Sequence, residues 1–271
     1  MSPDPRIIQL GSMLDDPDDR IAVDLIARLM LFSDDELGEL PAVMQESSNP
    51  AVRRRAQWLQ HALNMRRRRR RIRELMGNGP SGMAVIQTLL DLHLLWFDKD
   101  SPDDIESEVE EFIQAALPGV TGSLDDLELQ LRKLTVFPEN ETTIHPESYC
   151  IGTVVRQRSG AASLLCALFG ALLQEHGIVP VQVAGTFGLM DKEENFLGGC
   201  GNWHLSALPA NAVKVWQMEE LLRYIAMTLF SCSVNSDSYR YVMSFAQVLN
   251  GDESSHVFDR FPFPFTAVRE N

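Results

Sequence analysis

The sequence predicts an α+β protein, and three observations carry that prediction. From Ala161 to His176 almost every residue is small or apolar, which is the composition of a helix buried on most sides. From Val179 to Leu189 the side chains alternate between two faces, as they do in a half-buried strand. Upstream, several stretches carry helix caps and apolar periodicity. We therefore predict a buried helix on a small antiparallel sheet, preceded by a helical module.

Two helix starts that contain proline mark the N-terminal part. Asp16-Pro17 and Asn49-Pro50 each place a capping residue before a proline suited to the first helical position, and they lie 33 residues apart. This spacing, with an arginine-bearing amphipathic segment after each start, resembles HEAT-like helical repeats. The prediction is a helical module over residues 1–79, which ends in the Gly77-Asn78-Gly79-Pro80 turn.

The second of these helices runs into six consecutive arginines. Between Asn49 and Met76 there are ten Arg and one acidic residue, a local charge of +9, so that the rest of the chain carries −14 − 9 = −23. We expect a helix end that is solvated or paired with the acidic stretch Asp98 to Glu111. The alternative is contact with nucleic acid, another polyanion or a partner through Arg66, Arg67, Arg68, Arg69, Arg70 and Arg71.

The second domain is predicted over residues 80–271. Its lead-in, residues 80–135, holds three helices: Met83 to Phe97, Pro102 to Leu117, and Leu124 to Thr135. His93 lies in the apolar helix with no Cys, Asp or second His one turn later, so that we predict a core histidine rather than a metal ligand. Phe137 to Pro146 is typical of a polar loop.

The core, residues 136–210, holds the buried helix and the strands. Gly177 suits a left-handed helix cap, and Pro180 prevents the helix from resuming. We predict that Phe187 and Leu189 continue, in the same strand, the face that carries Val183. Residues 211–271 follow, with two predicted helices and a tail, residues 258–265, in which phenylalanine alternates with proline.

A pattern around the buried helix resembles a known family. It consists of Ser148-Tyr149, an arginine-rich turn from Arg156 to Gly160, the apolar helix, a Gly-Ile pair, an apolar strand and Gly-x-Phe. This order is similar to the transglutaminase-like core of the papain-type cysteine enzymes, and most similar to the bacterial SirB-type subfamily. The resemblance covers roughly Leu124 to Leu208 and implies the fold described above.

The same resemblance implies where a catalytic triad would lie. It places the nucleophile at Ala162, the histidine at Thr186 and the third, acidic member at Ser206. Such an enzyme needs a thiol at the helix N-terminus and an imidazole to take its proton, and none of these three residues supplies either group. The resemblance therefore implies the fold and argues against the activity.

We accordingly predict a non-catalytic protein of this family that acts as a binding, scaffold or regulatory protein. The alternative is a cysteine-dependent acyl transferase or hydrolase with a displaced thiol, either Cys166 or Cys200, paired with His204. A third possibility is a polyanion-binding module led by the arginine run. We expect no cofactor and no metal, because the four cysteines lack paired spacing.

The expected partner is another protein, with nucleic acid as the weaker alternative. No stretch of the chain reaches the length of apolar residues that a membrane span needs, and its first residues lack the apolar core of a signal peptide. Together with the cysteine usage, this predicts a cytoplasmic protein.

Overall fold

The structure is a computed structural model that describes residues 5–118, 120, 122–139, 141, 144–208, 213–236 and 238–250. Its first five helices are α1 (Pro5–Ser12), α2 (Asp19–Leu29), α3 (Asp34–Leu37), α4 (Leu40–Gln45) and α5 (Pro50–Gly77). The chain divides inside α5 into two units, the described residues up to Arg70 and the segment Arg71–Leu249. The sequence placed this boundary later, at Gly79.

The predicted helix starts differ in their outcome. Asn49 caps α5 as predicted, because its Oδ1 accepts a hydrogen bond from the Ala51 amide at 2.9 Å. The Asp16-Pro17 start is wrong by two residues: α2 begins at Asp19, and the Asp18 carboxylate accepts from the Arg20 amide at 2.8 Å. Within the first unit, buried side chains of α2 and α5 form the core, including Leu25, Ile26, Leu29, Leu59 and Leu63.

Three arginines of α5 within the first unit are buried, namely Arg55, Arg66 and Arg69. Arg66, 2% exposed, donates from Nη1 to the carbonyls of Met30 at 2.8 Å and Phe32 at 2.9 Å, and from Nη2 to Asp34. Because 11 residues make about three helical turns, Arg55 lies on the same side of α5, and it too is buried at 1% exposure.

Arg55 binds residues just before α2 and at its start, whereas Arg66 binds residues just after α2. Its Nη1 donates to the carbonyls of Leu14 and Asp16, and its Nη2 donates to Asp19 Oδ1 at 2.8 Å. The expectation of a solvated helix end is therefore wrong for Arg66 and Arg69, which are 2% and 4% exposed. Backbone carbonyls and a carboxylate accept hydrogen bonds from the Nη atoms, which offsets part of the cost of burying the guanidinium groups.

The described residues of the second unit form seven more α-helices. They are α6 (Met83–Trp96), α7 (Pro102–Ala116), α8 (Leu124–Lys133), α9 (Ile151–Gln157), α10 (Ala162–Leu172), α11 (Met218–Val234) and α12 (Tyr239–Leu249). The predicted lead-in helices are confirmed as α6, α7 and α8. Ser101 and Ser123 cap the last two by accepting from the amides of Asp104 and Asp126.

Helix α10 confirms the predicted buried helix. Every residue from Ala162 to Ala171 is buried, and the helix ends at Leu172, with a separate 3₁₀ turn from Gln174 to His176. Gly177 adopts the left-handed conformation at φ 80°. A Cβ on Gly170 would lie 3.2 Å from Pro180 Cδ, so that α10 packs closely against the strand that contains Pro180.

The described strands form two sheets. They are β1 (Phe137–Glu139), β2 (Ser159–Ala161), β3 (Val179–Val183), β4 (Thr186–Met190), β5 (Asn195–Cys200), β6 (Asn202–Ala207) and β7 (Val213–Val215). Strands β1 and β2 pair in parallel, whereas the other five form an antiparallel sheet in the order β6-β5-β4-β3-β7. The α+β class is thus confirmed, and part of the predicted polar loop is β1.

The predicted continuous strand is instead a hairpin. Ala184 and Gly185 both have positive φ, 49° and 87°, and form the two-residue turn between β3 and β4. Because Val183 pairs with Thr186, and Gln182 with Phe187, the turn places Phe187 on the opposite face from Val183. The predicted shared face of Val183 and Phe187 is therefore wrong.

The register also shows which face of the sheet carries α10. A Cβ on Gly170 of α10 would meet both Pro180 and Leu189, and Leu189 shares its face with Phe187. The other face carries a separate apolar cluster that contains Val181, Val183 and Phe196. Residues with the parity of Phe187 therefore face α10, and those with the parity of Thr186 face away from it.

Candidate functional site

The candidate site lies at the N-terminal end of α10, where amides without helical partners concentrate positive charge. Ala162 is the first residue of this helix and is 2% exposed. The amide of the next residue, Ser163, donates a hydrogen bond to Glu141 Oε1 at 2.7 Å. A carboxylate of the chain itself therefore occupies the anion-favouring end of α10.

The other oxygen of Glu141 accepts two more hydrogen bonds. The hydroxyls of Tyr149 and Tyr224 both donate to Oε2, each at 3.1 Å. Tyr149 ends the 3₁₀ turn Pro146–Tyr149, and Tyr224 lies in α11. One carboxylate thus connects the segment after β1, the 3₁₀ turn, α10 and α11.

Both phenols remain donors at neutral pH. Burial, followed by the nearby Glu141 carboxylate, raises the pKa of Tyr149 well above its usual range. The same two causes raise the pKa of Tyr224 to about 12. Because a phenol donates a hydrogen bond and a phenolate cannot, Glu141 keeps both partners.

A second glutamate, Glu139, is held in the same way. It accepts hydrogen bonds from the hydroxyls of Ser148 and Ser159, the latter at 2.9 Å. In the described part of the chain neither Glu139 nor Glu141 forms an ion pair with Lys, Arg or His. Their donors are all neutral, so that this end of the sheet carries two formal negative charges without a local cation.

The two glutamates line a cleft of about 220 Å³. Its lining residues are Glu139, Glu141, Ala162, Gln182, Gly185, Thr186, Phe187, Gly199, Cys200 and Tyr224. The rings of Phe187 and Tyr224 lie 5.2 Å apart, and Trp216 contacts both, at 5.5 Å and 5.6 Å between centroids. The cleft therefore has an aromatic wall beside an acidic one.

The glycine-rich end of β5 lets the backbone approach α10. A Cβ on Gly199 would lie 3.0 Å from Pro138 Cβ, and 3.2 Å from both Ala162 Cβ and the Trp203 ring. Any larger residue would push apart the strands and helix that form the cleft. Gly199 therefore allows β5 to pack closely against Ala162 at the start of α10.

The structure brings together two of the three positions that the family resemblance assigned. Ala162 and Thr186 border the cleft, whereas Ser206 is not among the residues that line it. By the register, Thr186 and Ser206 share the sheet face opposite α10, because Thr186 pairs with Val183 and Ser206 with Phe196. Next to Thr186 in β4, the side chain that faces α10 is that of Phe187.

The displaced-thiol candidates lie in different environments. Cys166 is fully buried in α10, and burial, followed by the Glu141 charge, raises the pKa of its thiol well above the usual value. Cys200 is exposed and borders the cleft. His204 is exposed on β6, pairs with Gly198 and does not line the cleft. Only Cys200 of the three is at the site.

The arginine run is engaged within the protein. Arg66 and Arg67 both bind Asp34, and Arg71 forms two hydrogen bonds to Asp91, at 2.6 Å and 2.5 Å. The other three, Arg68, Arg69 and Arg70, also have intramolecular partners. The hydrogen-bonded carboxylates Asp34 and Asp91 lie outside the expected stretch Asp98 to Glu111, whereas Arg71 also interacts electrostatically with Glu106 inside that stretch.

Sequence reasoning missed the three residues that define the site, namely Glu139, Glu141 and Tyr224. Both glutamates lie in the stretch predicted as a polar loop. Tyr224 lies in one of the two helices predicted for residues 211–271, to which no site was assigned. The one available signal was the Glu-x-Glu spacing at 139 and 141, close upstream of Ser148-Tyr149, whose hydroxyls bind these carboxylates.

Other kinds of site find little support in the described residues. No group of three or more His, Cys, Asp or Glu there is placed to hold a metal ion. Among the helices of the same residues, none is both long enough and apolar enough to cross a membrane. The tail at 258–265 lies outside the described residues.

Searches of protein-family models, curated proteins and solved structures found no match to the chain.

Proposed function

We propose that the protein is a non-catalytic, transglutaminase-like protein that acts by binding another protein, as a scaffold or regulator. The observation that carries this proposal is the hydrogen bond from the Ser163 amide to Glu141 at the start of α10. In the family that the sequence resembles, this helix end would carry a reactive thiolate. Here it carries a carboxylate of the chain and the methyl group of Ala162.

The electrostatics of the site oppose thiol chemistry. A thiolate is stabilised by unpaired amides and nearby positive charge, whereas a neighbouring carboxylate destabilises it. Glu141 uses the Ser163 amide and places its own negative charge there. The described residues that line the cleft include no imidazole or amine that could take a proton from a nucleophile.

The same charge limits what can enter the cleft. Glu139 and Glu141 repel carboxylate and phosphate groups, because no cation among the lining residues offsets them. Lys214 is the strand partner of Gln182 but does not itself line the cleft, and its Nζ lies over the Trp216 ring at 3.2 Å from the centroid. Small acidic metabolites and nucleotides are therefore poor candidates for ligands of this cleft.

The test introduces a thiol and then removes the carboxylate. Ala162→Cys in a Cys200→Ser background should show a thiol pKa above the ordinary value, measured from thiolate ultraviolet absorbance against pH. Adding Glu141→Gln should lower that pKa, because the helix end loses its internal anion. Glu139→Gln is the matched control, since this glutamate has no bond to α10 and should have the smaller effect. A low thiol pKa in Ala162→Cys alone would contradict the proposal.

The position of Cys200 at the cleft favours one alternative, an enzyme with a displaced thiol. We expect Cys200 of the unmodified protein to react with iodoacetamide no faster than an ordinary exposed thiol. The alternative replaces our proposal if Cys200 reacts far faster and His204→Ala removes the excess. Cys200→Ser shows which part of the labelling belongs to this residue.

A further inference from the structure

The second unit contains an apolar groove that is separate from the cleft. It has a volume of about 330 Å³ and lies between the end of α5, the first half of α6 and the middle of α7. The groove is lined by Arg71, Leu75, Met83, Ala84, Ile86, Gln87, Leu90, Glu106, Val109, Glu110 and Ile113.

Two helices give this groove its shape. On α6, Met83, Ile86 and Leu90 are spaced by three and four residues, and on α7 Val109 and Ile113 are spaced by four, so that each set forms one stripe. Ile86, Leu90 and Val109 are buried and form the floor. Met83, in contrast, is 63% exposed at the edge. Apolar side chains thus surround a space large enough for side chains of another helix.

The rim of the groove is acidic. Glu106 and Glu110 are exposed on α7, one turn apart, and neither forms an ion pair within the described chain. The basic residue of the lining is Arg71, whose guanidinium is bound to Asp91, a residue that is 0% exposed, and which also interacts electrostatically with Glu106. Because Asp91 offsets Arg71, the rim retains the negative charge of the two glutamates.

We propose that this groove docks an amphipathic helix of a partner protein, with its apolar stripe in the groove and Lys or Arg beside it against Glu106 and Glu110. Charge complementarity selects a basic occupant. A second copy of this chain fits poorly, because the chain carries a net charge of −14 and its arginine run is engaged internally. The proposal is independent of the cleft.

The experiment uses a fluorescent synthetic helix of leucine and lysine, and a second in which glutamate replaces lysine. Fluorescence anisotropy with the full chain should show the lysine peptide binding at least about tenfold more tightly than the glutamate peptide. Met83→Lys should weaken binding of the lysine peptide by about tenfold, because it places charge at the apolar edge. Met227→Lys is the control, since Met227 of α11 is similarly exposed at 55%.

Two further double variants test how much the charges of the two rim glutamates contribute to peptide binding. Glu106→Gln with Glu110→Gln should weaken the lysine peptide by roughly threefold to tenfold, whereas Asp103→Asn with Glu111→Gln, on the same helix but outside the groove, should not. Equal losses in both double variants, or equal affinity for the two peptides, would overturn the proposal. A dimer of the unmodified protein that Met83→Lys dissociates, measured by sedimentation, would also overturn it in favour of a second copy.

Discussion

Two clusters of carboxylates, one in each unit of the chain, are held by different means. In the first unit, Asp34 binds the guanidinium groups of Arg66 and Arg67, and Asp19 binds that of Arg55. In the second unit, Glu141 binds one amide and two phenols, and Glu139 binds two serine hydroxyls. The first arrangement cancels the charge, whereas the second leaves it in place.

This difference separates a structural cluster from a candidate site. Burial alone would raise the pKa of Asp34, but hydrogen bonds from Arg67 and Arg66 outweigh it and lower that pKa. Through Arg66 of α5, the Asp34 cluster joins the end of α2 to the start of α3. The glutamates of the cleft, in contrast, hold a net charge beside an open space, which is the condition under which a ligand or partner is selected by charge.

The largest expected effect tests the structural cluster. Arg66→Ala should lower the free energy of unfolding by about 3–5 kcal/mol, because it leaves buried carbonyls and a carboxylate without their partner. Arg67→Ala should cost less than about 1 kcal/mol, since Arg67 is 51% exposed and Asp34 keeps Arg66. Urea unfolding, followed by circular dichroism, measures both. Equal costs would show that the buried position of Arg66 contributes nothing.

A smaller loss of stability is expected from substitutions at the cleft. Tyr149→Phe should lower the free energy of unfolding by about 1.5–3 kcal/mol, the usual range for a hydrogen bond to a charged group. Tyr224→Phe should cost less, because Tyr224 is only half-buried, whereas Tyr149 is 2% exposed. In a Glu141→Gln background both costs should shrink. Costs that stay the same in that background would mean that the phenols do not act through Glu141.

The smallest effect concerns a buried histidine in the second unit. His93, predicted as a core residue, is 0% exposed, and its Nε2 lies 3.2 Å from Asp100 Oδ2. Burial lowers its pKa, against the opposing effect of Asp100. The other charged neighbours are Arg156, which also lowers this pKa, and Glu108, which raises it; Arg156 binds both Asp100 and Glu108.

The sign of the pH dependence follows from this lowered pKa. Below its ordinary value of about 6.5 the unfolded chain binds a proton that folded His93 does not, so that stability is full above that pH and falls as the pH drops towards the folded pKa. Urea midpoints at about pH 7.5 and 5.5 should therefore differ less in His93→Gln than in the unmodified protein. An unchanged difference between the two midpoints would assign the pH dependence to other groups.

The sequence predicted the elements whose signals are local. Ser101 and Ser123 predict the starts of α7 and α8, because their side chains bind amides three residues later. The uninterrupted apolar composition of α10 likewise predicts its burial. These features depend only on neighbours within a few residues, so that they can be recognised in the sequence itself.

The missed features depend on partners far away in the chain. Arg66 is buried because carbonyls 34 and 36 residues earlier accept its hydrogen bonds. Glu141 and Tyr224 meet across 83 residues. The turn at Ala184-Gly185 was missed for a different reason: a non-glycine residue with positive φ gives no compositional signal. The assignment of the core to the transglutaminase-like family remains a prediction.

The long separation between Glu141 and Tyr224 has a consequence for how the chain folds. A contact that closes so long a loop forms late, because the entropy of loop closure is lost before the contact stabilises anything. During synthesis Glu141 leaves the ribosome well before Tyr224, and its carboxylate stays hydrated until α11 arrives. The cleft is therefore completed only once α11 has been made, and a chain cut short before α11 would lack Tyr224 and leave α10 without a helix that packs against it.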